Sequence, residues 1–200
     1  MTATPARYPF AFDPVAEPRG RARVRWHDLL AGLDGVELTG EPDVEVAAIT
    51  HDSRLVTPGA CFACIPGAVT DGHEYAGAAV AAGAVALLVE RPLPFAVAQA
   101  RVASVRAALG PVAATLYGQP STAMRTLGVT GTNGKTTTTY LLEAVARRAG
   151  DRVGVIGTVG ARLTSAGGVS ADGAGETLEL RHTTPEASEL QALLARMRDA

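Results

Sequence analysis

Cysteine is scarce in this sequence. Cys61 and Cys64 are the only two, and they form a single C-x-x-C with no second pair. That excludes a disulfide-stapled secreted scaffold. The segment 61–65 reads as a strand, where positions i and i+3 point to opposite faces. A shared metal or a mutual disulfide is then awkward, and two small core residues are expected. An excess of one charge is also lacking. Eighteen Lys and Arg stand against twenty Asp and Glu, for a net charge of −2. A general nucleic-acid binder would carry a basic surplus. Long apolar runs are missing too. The uncharged run 75–89 is broken by Gly77 and Gly83 and falls short of the ~20 residues that span a bilayer. Residues 1–25 hold Pro5, Pro9, Pro14 and Pro18 without the apolar stretch of a secretory signal. A soluble, cytoplasmic protein is expected. Aromatics make only 4% of the chain, but 47% of it is hydrophobic. That is ample for a core and excludes a disordered chain.

What is present is glycine and proline, 22 and 12 among 200 residues. The glycines show no fixed period, so tight loops are expected rather than a collagen-like repeat. Residues 1–23 show no periodicity and read as a mobile tail. Trp26, Leu29 and Leu30 supply a first short helical face. Strands are expected over 44–49 and 61–65, a helix over 75–82 ended by Gly83, and an almost wholly apolar strand over 84–89. A strand over 95–100 and a helix over 102–117 complete a small α/β unit over 24–120. Gly118 to Thr122 is the natural linker.

A second unit, 121–200, opens with an expected strand over 125–130. A glycine-rich loop follows, then a helix over 135–149 with Leu141, Leu142, Val145, Ala146 and Ala149 at helical spacing. A strand over 152–156 would complete a parallel, right-handed βαβ unit. Residues 165–175 suggest a mobile hairpin tip, and Pro185 opens a last helix over 186–198. One βαβ unit and a trailing helix do not complete a doubly wound sheet. The expectation is an α/β chain whose second domain, with a mostly parallel sheet, is only begun, as in a portion of a longer protein.

The loop between the expected strand and helix carries the chemistry: Gly131, Thr132, Asn133, Gly134, Lys135, Thr136, Thr137. Two glycines let backbone N–H groups turn inward around phosphate oxygens. The helix start adds unpaired donors and partial positive charge. Lys135 can reach the β- and γ-phosphates, and the Thr136 hydroxyl is placed to ligand Mg²⁺. The pattern is G-x-x-G-K-T rather than the longer G-x-x-x-x-G-K-[ST], because Val129 stands where the first glycine would be. The bland alternative is a glycine-rich turn with an exposed lysine. The flanking strand and helix argue against it.

The run Thr130 to Thr138 resembles the ATP loop of the Mur ligases, the ATP-dependent amino-acid ligases of peptidoglycan precursor synthesis. Asp52-Ser53-Arg54, Pro58-Gly59, Cys61-Phe62-Ala63, Pro66-Gly67, Asp71-Gly72-His73 and Gly83-Ala84 are similar, in order and spacing, to the N-terminal domain shared by the MurE and MurF branches. Gly157-Thr158-Val159-Gly160 and Thr183-Thr184-Pro185 resemble the MurE branch, as does Asn133, where MurF-type loops more often have Ser. The likeness runs from Val44 to the end.

The resemblance implies a reaction. ATP phosphorylates the D-glutamate side-chain carboxylate of UDP-N-acetylmuramoyl-L-alanyl-D-glutamate. The amino group of a diamino acid, diaminopimelate or lysine, then displaces phosphate from the acyl phosphate. Diaminopimelate is expected from the Ala/Arg-rich composition. The resemblance gives residues 131–137 to ATP, with Lys135 and Thr136 as catalytic groups and Thr136 on Mg²⁺. It sets His51, Ser53, Ala68, Val69 and Thr70 against the uridine nucleotide, and Thr183 and Thr184 against the muramoyl peptide. Later metal ligands, a carbamoylated lysine and a domain selecting the amino acid are implied but absent from these residues. The 200 residues alone are therefore expected to bind nucleotides weakly and not to turn over. A monomer without nucleic-acid or membrane partners is expected. Two alternatives stay open: a MurF-type ligase adding the dipeptide, and a non-catalytic nucleotide-binding module. For Ser53 the bland reading is a turn cap beside Asp52. For Thr183-Thr184-Pro185 it is a helix N-cap with proline in the first turn.

Overall fold

The computed structural model describes residues 23–158, 160–163, 176–178 and 184–200. The chain begins with β1 (Val24–Arg25), α1 (Trp26–Leu30), β2 (Glu37–Thr39), β3 (Glu45–Val46), β4 (Ala48–Thr50) and β5 (Ala60–Ala63). It continues through α2 (Ala76–Ala81), β6 (Ala86–Val89), β7 (Ala98–Arg101) and α3 (Val105–Leu116). Then come α4 (Lys135–Arg148), β8 (Gly154–Gly157), β9 (Gly160–Leu163), β10 (Glu176–Leu178) and α5 (Ala187–Asp199). The described residues group into two compact units. One holds 23–124 and 186–196; the other holds the described residues of 125–185 together with 197–200.

The first unit is built on a five-stranded sheet in the order β2-β7-β6-β5-β4. Strands β4 to β7 are parallel, and β2 joins the edge antiparallel. The protein is thus a mixed α/β fold with a mostly parallel central sheet. Every residue of β5 and β6 is buried, as expected for strands covered on both faces. On one face Phe62, Cys64, Leu87 and Val89 meet Ala76 and Ala79 of α2. Each fully buried large aliphatic side chain there contributes ~1.5–3 kcal/mol. The expected strand over 44–49 is split into β3 and β4 at Ala47, whose N–H donates to Gly59 O instead (2.9 Å). Trp26, Leu29 and Leu30 are buried on α1, as their spacing predicts.

The β6–β7 connection is a loop. Leu93, Phe95 and Val97 pack from it against the α2-side core. Buried Gln99 shapes that loop. Its Oε1 accepts from Leu93 N–H, and its Nε2 donates to the carbonyls of Leu93 and Phe95. A buried amide with its partners in place costs little, whereas an unpaired one is expensive.

In the second unit β8, β9 and β10 form an antiparallel sheet. Here the structure departs from the sequence pattern. Residues 125–130 take no strand pairing, and Leu127 is 75% exposed. The expected parallel βαβ unit is not formed, because β8 pairs with β9. An apolar parallel strand is held by neighbouring strands and by helices on its faces. Among the described residues no strand pairs with 125–130. Helix α4 accordingly leaves Leu141, Leu142 and Val145 exposed. It buries Glu143 instead, paired with Arg162 of β9, whose guanidinium lies 4.1 Å from the Tyr140 ring centre. The expected tail (1–23) and hairpin tip (165–175) lie outside the described residues, save Arg23. No described helix is long and apolar enough to cross a membrane.

Candidate functional site

The glycine-rich loop adopts the backbone that its composition requires. Gly131 has φ +148° and Gly134 φ +78°. Side chains strain at such values and glycine does not. Gly134 is the N-cap residue of α4, and no side chain caps the helix. The first intrahelical bond runs from Thr138 N–H to Gly134 O (2.8 Å). The N–H groups of Lys135, Thr136 and Thr137 therefore have no intrahelical partner, and the macrodipole adds partial positive charge beside them. The loop is exposed throughout. Lys135 folds back over it, with Nζ donating to Gly131 O (2.5 Å). This arrangement suits an anion bearing several oxygens. For a divalent cation the protein offers the Thr136 hydroxyl. Among the described residues no cluster of three or more His, Cys, Asp and Glu could hold a metal. Mg²⁺ commonly takes one or two protein ligands and fills its shell with phosphate oxygens and water, so a single hydroxyl is compatible with it.

The first unit gathers a second set of residues at one edge of its sheet. His51 and Ser53 follow β4, and Ala68, Val69 and Thr70 follow β5. These strands are parallel neighbours, so both connections leave from the carboxyl edge, where open α/β sheets bind ligands. Ser53 opens a one-turn 3-10 helix, Ser53–Leu55, capped by Asp52, whose carboxylate accepts from Arg54 N–H. Arg54 returns a two-pronged ion pair to Asp52 (2.9 and 2.7 Å), bracing the turn. The cap is thus Asp52, and Ser53 sits in the turn's first position. Nδ1 of His51 is buried and has no hydrogen-bond partner. Ala68 to Thr70 form an exposed turn, closed by Gly67 N–H donating to Thr70 O (2.9 Å) and by the bridge between Pro66 and Asp71. Val69 at its tip is 95% exposed.

The residues after Thr70 carry more than the sequence suggests. His73 is buried, with Nδ1 2.6 Å from Asp71 Oδ1 and Nε2 accepting from Glu90 N–H (2.9 Å). It is a structural hydrogen-bonding histidine. Arg91 donates to the other Asp71 oxygen (2.7 Å). Glu90 and Arg91 escape sequence reasoning because they arrive from a different connection, after β6. Burial of Cys64 pushes its thiol up to about 12, and burial raises Cys61 well above its usual value. Neither is bonded to the other.

Thr184 is exposed ahead of α5, whereas Thr183, His182 and Val159 lie outside the described residues. Leu190 N–H closes the first turn of α5 on Glu186 O, and Glu189 reaches back to Glu186 N–H (3.0 Å). The cap position is therefore Glu186, two residues beyond Thr184, with Glu189 supplying half of a capping box.

Two family models divide the chain between them. The Mur ligase family, catalytic domain, matches residues 45–116, and the Mur ligase middle domain matches 129–200. The chain belongs to the Mur ligase family. A relative from Geobacillus thermodenitrificans (strain NG80-2), UDP-N-acetylmuramoyl-L-alanyl-D-glutamate--2,6-diaminopimelate ligase, is 45% identical over 173 residues. That match takes in 86% of this chain and 33% of the relative. A solved structure of a ligase of the same name aligns at TM-score 0.66 and 25% identity, over 89% of this chain and 34% of that one. MurF from Acinetobacter baumannii aligns at TM-score 0.53 and 31% identity, over 63% of this chain and 28% of that one. This Mur ligase chain spans about a third of the length of the curated relatives it matches.

Proposed function

We propose that this chain supplies the nucleotide-handling part of an ATP-dependent ligase of peptidoglycan precursor synthesis, acting in the cytoplasm. The enzyme would join a diamino acid to UDP-N-acetylmuramoyl-L-alanyl-D-glutamate, with diaminopimelate favoured by the names of its relatives. The observation that carries the reading is the uncapped N-terminus of α4 behind Gly131 and Gly134, with Lys135 lying across the loop. ATP with Mg²⁺ would supply the phosphoryl group that activates the D-glutamate carboxylate for attack by the amine.

The residues of this chain do the positioning and the charge neutralisation. Backbone N–H groups of 131–137 would hold phosphate oxygens. Lys135 would leave Gly131 O and turn its ammonium toward the β- and γ-phosphates, offsetting negative charge as it builds. The Thr136 hydroxyl would ligate Mg²⁺. In the first unit, Ser53 and the 68–70 turn would hold the uridine nucleotide. His51 would find there a partner for its buried Nδ1, an atom that costs about 1–3 kcal/mol while unsatisfied. Thr183 and Thr184 would face the muramoyl peptide. The MurE reading is favoured over the MurF one because the diaminopimelate-ligase structure aligns over 89% of the chain and the MurF structure over 63%. We take the working state to be a monomer.

The test is thermal unfolding of the chain with and without UDP-N-acetylmuramoyl-L-alanyl-D-glutamate. At 100 times its dissociation constant a ligand adds ~2.7 kcal/mol to a two-state fold. A shift that the uridine-free sugar does not reproduce supports the reading. A cooperative transition that does not move rejects it.

A further inference from the structure

The 67–70 turn presents its tip to solvent, and what fixes it lies at its foot. Asp71, paired with Pro66 across the turn, has both carboxylate oxygens engaged. Oδ1 accepts from His73 N–H (3.0 Å) and lies 2.6 Å from His73 Nδ1. Oδ2 accepts from Arg91 Nη1 (2.7 Å). Because His73 Nε2 accepts from Glu90 N–H (2.9 Å), it holds a lone pair and the ring proton sits on Nδ1, aimed at Asp71. The Glu90 carboxylate then accepts from Val105 N–H at the start of α3 (2.9 Å). One connected chain of hydrogen bonds thus runs from the turn through Asp71, His73 and Glu90 to a rigid helix. Its members follow β5 and β6 and precede α3, all at the sheet edge that also carries His51 and Ser53. An ordinary Asx turn needs only the bond from Asp71 to the backbone two residues on. The buried imidazole and the arginine are additional, and both pull on the residue that ends the exposed turn.

We infer that Asp71, His73 and Arg91 form a positioning clamp that holds the Ala68–Thr70 turn in the shape that binds the uridine nucleotide. The inference rests on the assignment of that turn to the nucleotide site. None of the three needs to touch the ligand; each acts through the turn. A turn held before the ligand arrives loses less freedom on binding.

The test uses Asp71→Ala, Asp71→Asn and Arg91→Gln in the full chain, with two readouts. The first is amide hydrogen exchange, which needs no ligand. In Asp71→Ala the Gly67 and Gly72 amides exchange about tenfold faster or more, while Cys64, bonded across the sheet to Leu88 O, keeps its parental rate. Asp71→Asn restores the slow rates to those of Arg91→Gln, because its Oδ1 still accepts both His73 hydrogens while its amide nitrogen cannot accept from Arg91. An unchanged Gly67 rate overturns the clamp. So does equal acceleration at Cys64, which would make Asp71 a support of the whole sheet.

The second readout is calorimetric titration with UDP-N-acetylmuramoyl-L-alanyl-D-glutamate. Affinity falls about tenfold in Asp71→Ala and about two- to threefold in Arg91→Gln, and Asp71→Asn, which keeps the His73 bonds and loses the Arg91 one, brings it back to the Arg91→Gln level. Parental affinity in Asp71→Ala overturns the inference and leaves the nucleotide site standing. A parent chain that does not bind overturns the nucleotide assignment itself, and the inference with it. Should Asp71→Ala fail to fold, Arg91→Gln decides by the same two readouts, since the Arg91 side chain is half exposed and its loss leaves the core intact.

Discussion

Lys135 Nζ lies 2.5 Å from the carbonyl oxygen of Gly131 and 3.5 Å from that of Thr132. The lysine closes over the loop it terminates, and it is the only lysine in the 200 residues. A single ε-amine in the chain makes the glycine-rich loop chemically addressable. Bound nucleotide polyphosphate would draw the ammonium into contact and shield it from reagents.

Lys135→Ala is therefore expected to weaken ATP binding by about 10- to 100-fold, the worth of a charge-assisted contact. Stability in urea should change by less than ~0.5 kcal/mol, because the side chain is exposed. In the parent, ATP should slow acylation of the one ε-amine by an amine-reactive reagent. Parental ATP affinity in the variant would sink the phosphate-loop assignment.

The order of elements in the first unit was legible because its strands and helices are bounded by turn residues and their apolar positions match one period at a time. The edge strand β2 (Glu37–Thr39) was not. It is three residues long and wholly exposed, so it leaves no burial pattern to detect. The glycine-rich turn and the helix that starts at Lys135 are legible from spacing alone. Residues 125–130 carry the pattern of a buried parallel strand but form none, because burial depends on neighbours that a local window does not contain. The Asp71–His73–Arg91 cluster was half legible. Asp71 and His73 are two residues apart, whereas Arg91 is brought to them by the pairing of β5 with β6.

Asp71 gives a pH dependence of fixed sign. The His73 backbone N–H, then the His73 side chain, and also Arg91 hold its carboxyl well below the usual range, against a smaller opposing effect of burial. A folded-state value below the unfolded ~3.9 means that the native state releases this proton more readily. The resulting stabilisation is complete above about pH 5 and is lost as pH falls through the unfolded value toward the folded one. Urea titrations of the parent and Asp71→Asn at pH 5, 4 and 3 should show their difference shrinking toward acid. A difference that stays constant over that range contradicts the assignment.

Cys61 and Cys64 should be silent in the folded chain. The thiolate is the reactive form, and with Cys64 pushed up to about 12 its share at pH 8 is ~10⁻⁴. A disulfide-exchange reagent should titrate no thiol under native conditions and two once urea unfolds the first unit. Stoichiometric labelling within seconds of mixing in native buffer would mean that β5 is far less buried than described.

Gly77 sits inside one short helix, α2, and Gly83 just past its end, and the two should respond unequally to the same methyl group. Gly83 has φ +103°, and a Cβ there would lie 2.9 Å from Pro58 Cα, an atom of the backbone. Its carbonyl also accepts from Gly59 N–H (3.0 Å), so neither segment can withdraw without losing a bond. Left-handed strain of about 1–2 kcal/mol and a steric cost of similar size put Gly83→Ala at roughly 2–4 kcal/mol of lost stability. At Gly77 a Cβ meets only the Phe95 ring, at 3.4 Å. Alanine there removes the ~0.5–1 kcal/mol penalty of a helical glycine and adds a slightly tight apolar contact, for a net change within about 0.5 kcal/mol of zero. Chemical denaturation of the two variants side by side separates the cases. Equal losses would mean that α2 does not end at Gly83, and the connection that aims β6 toward Glu90 and Arg91 would need to be redrawn.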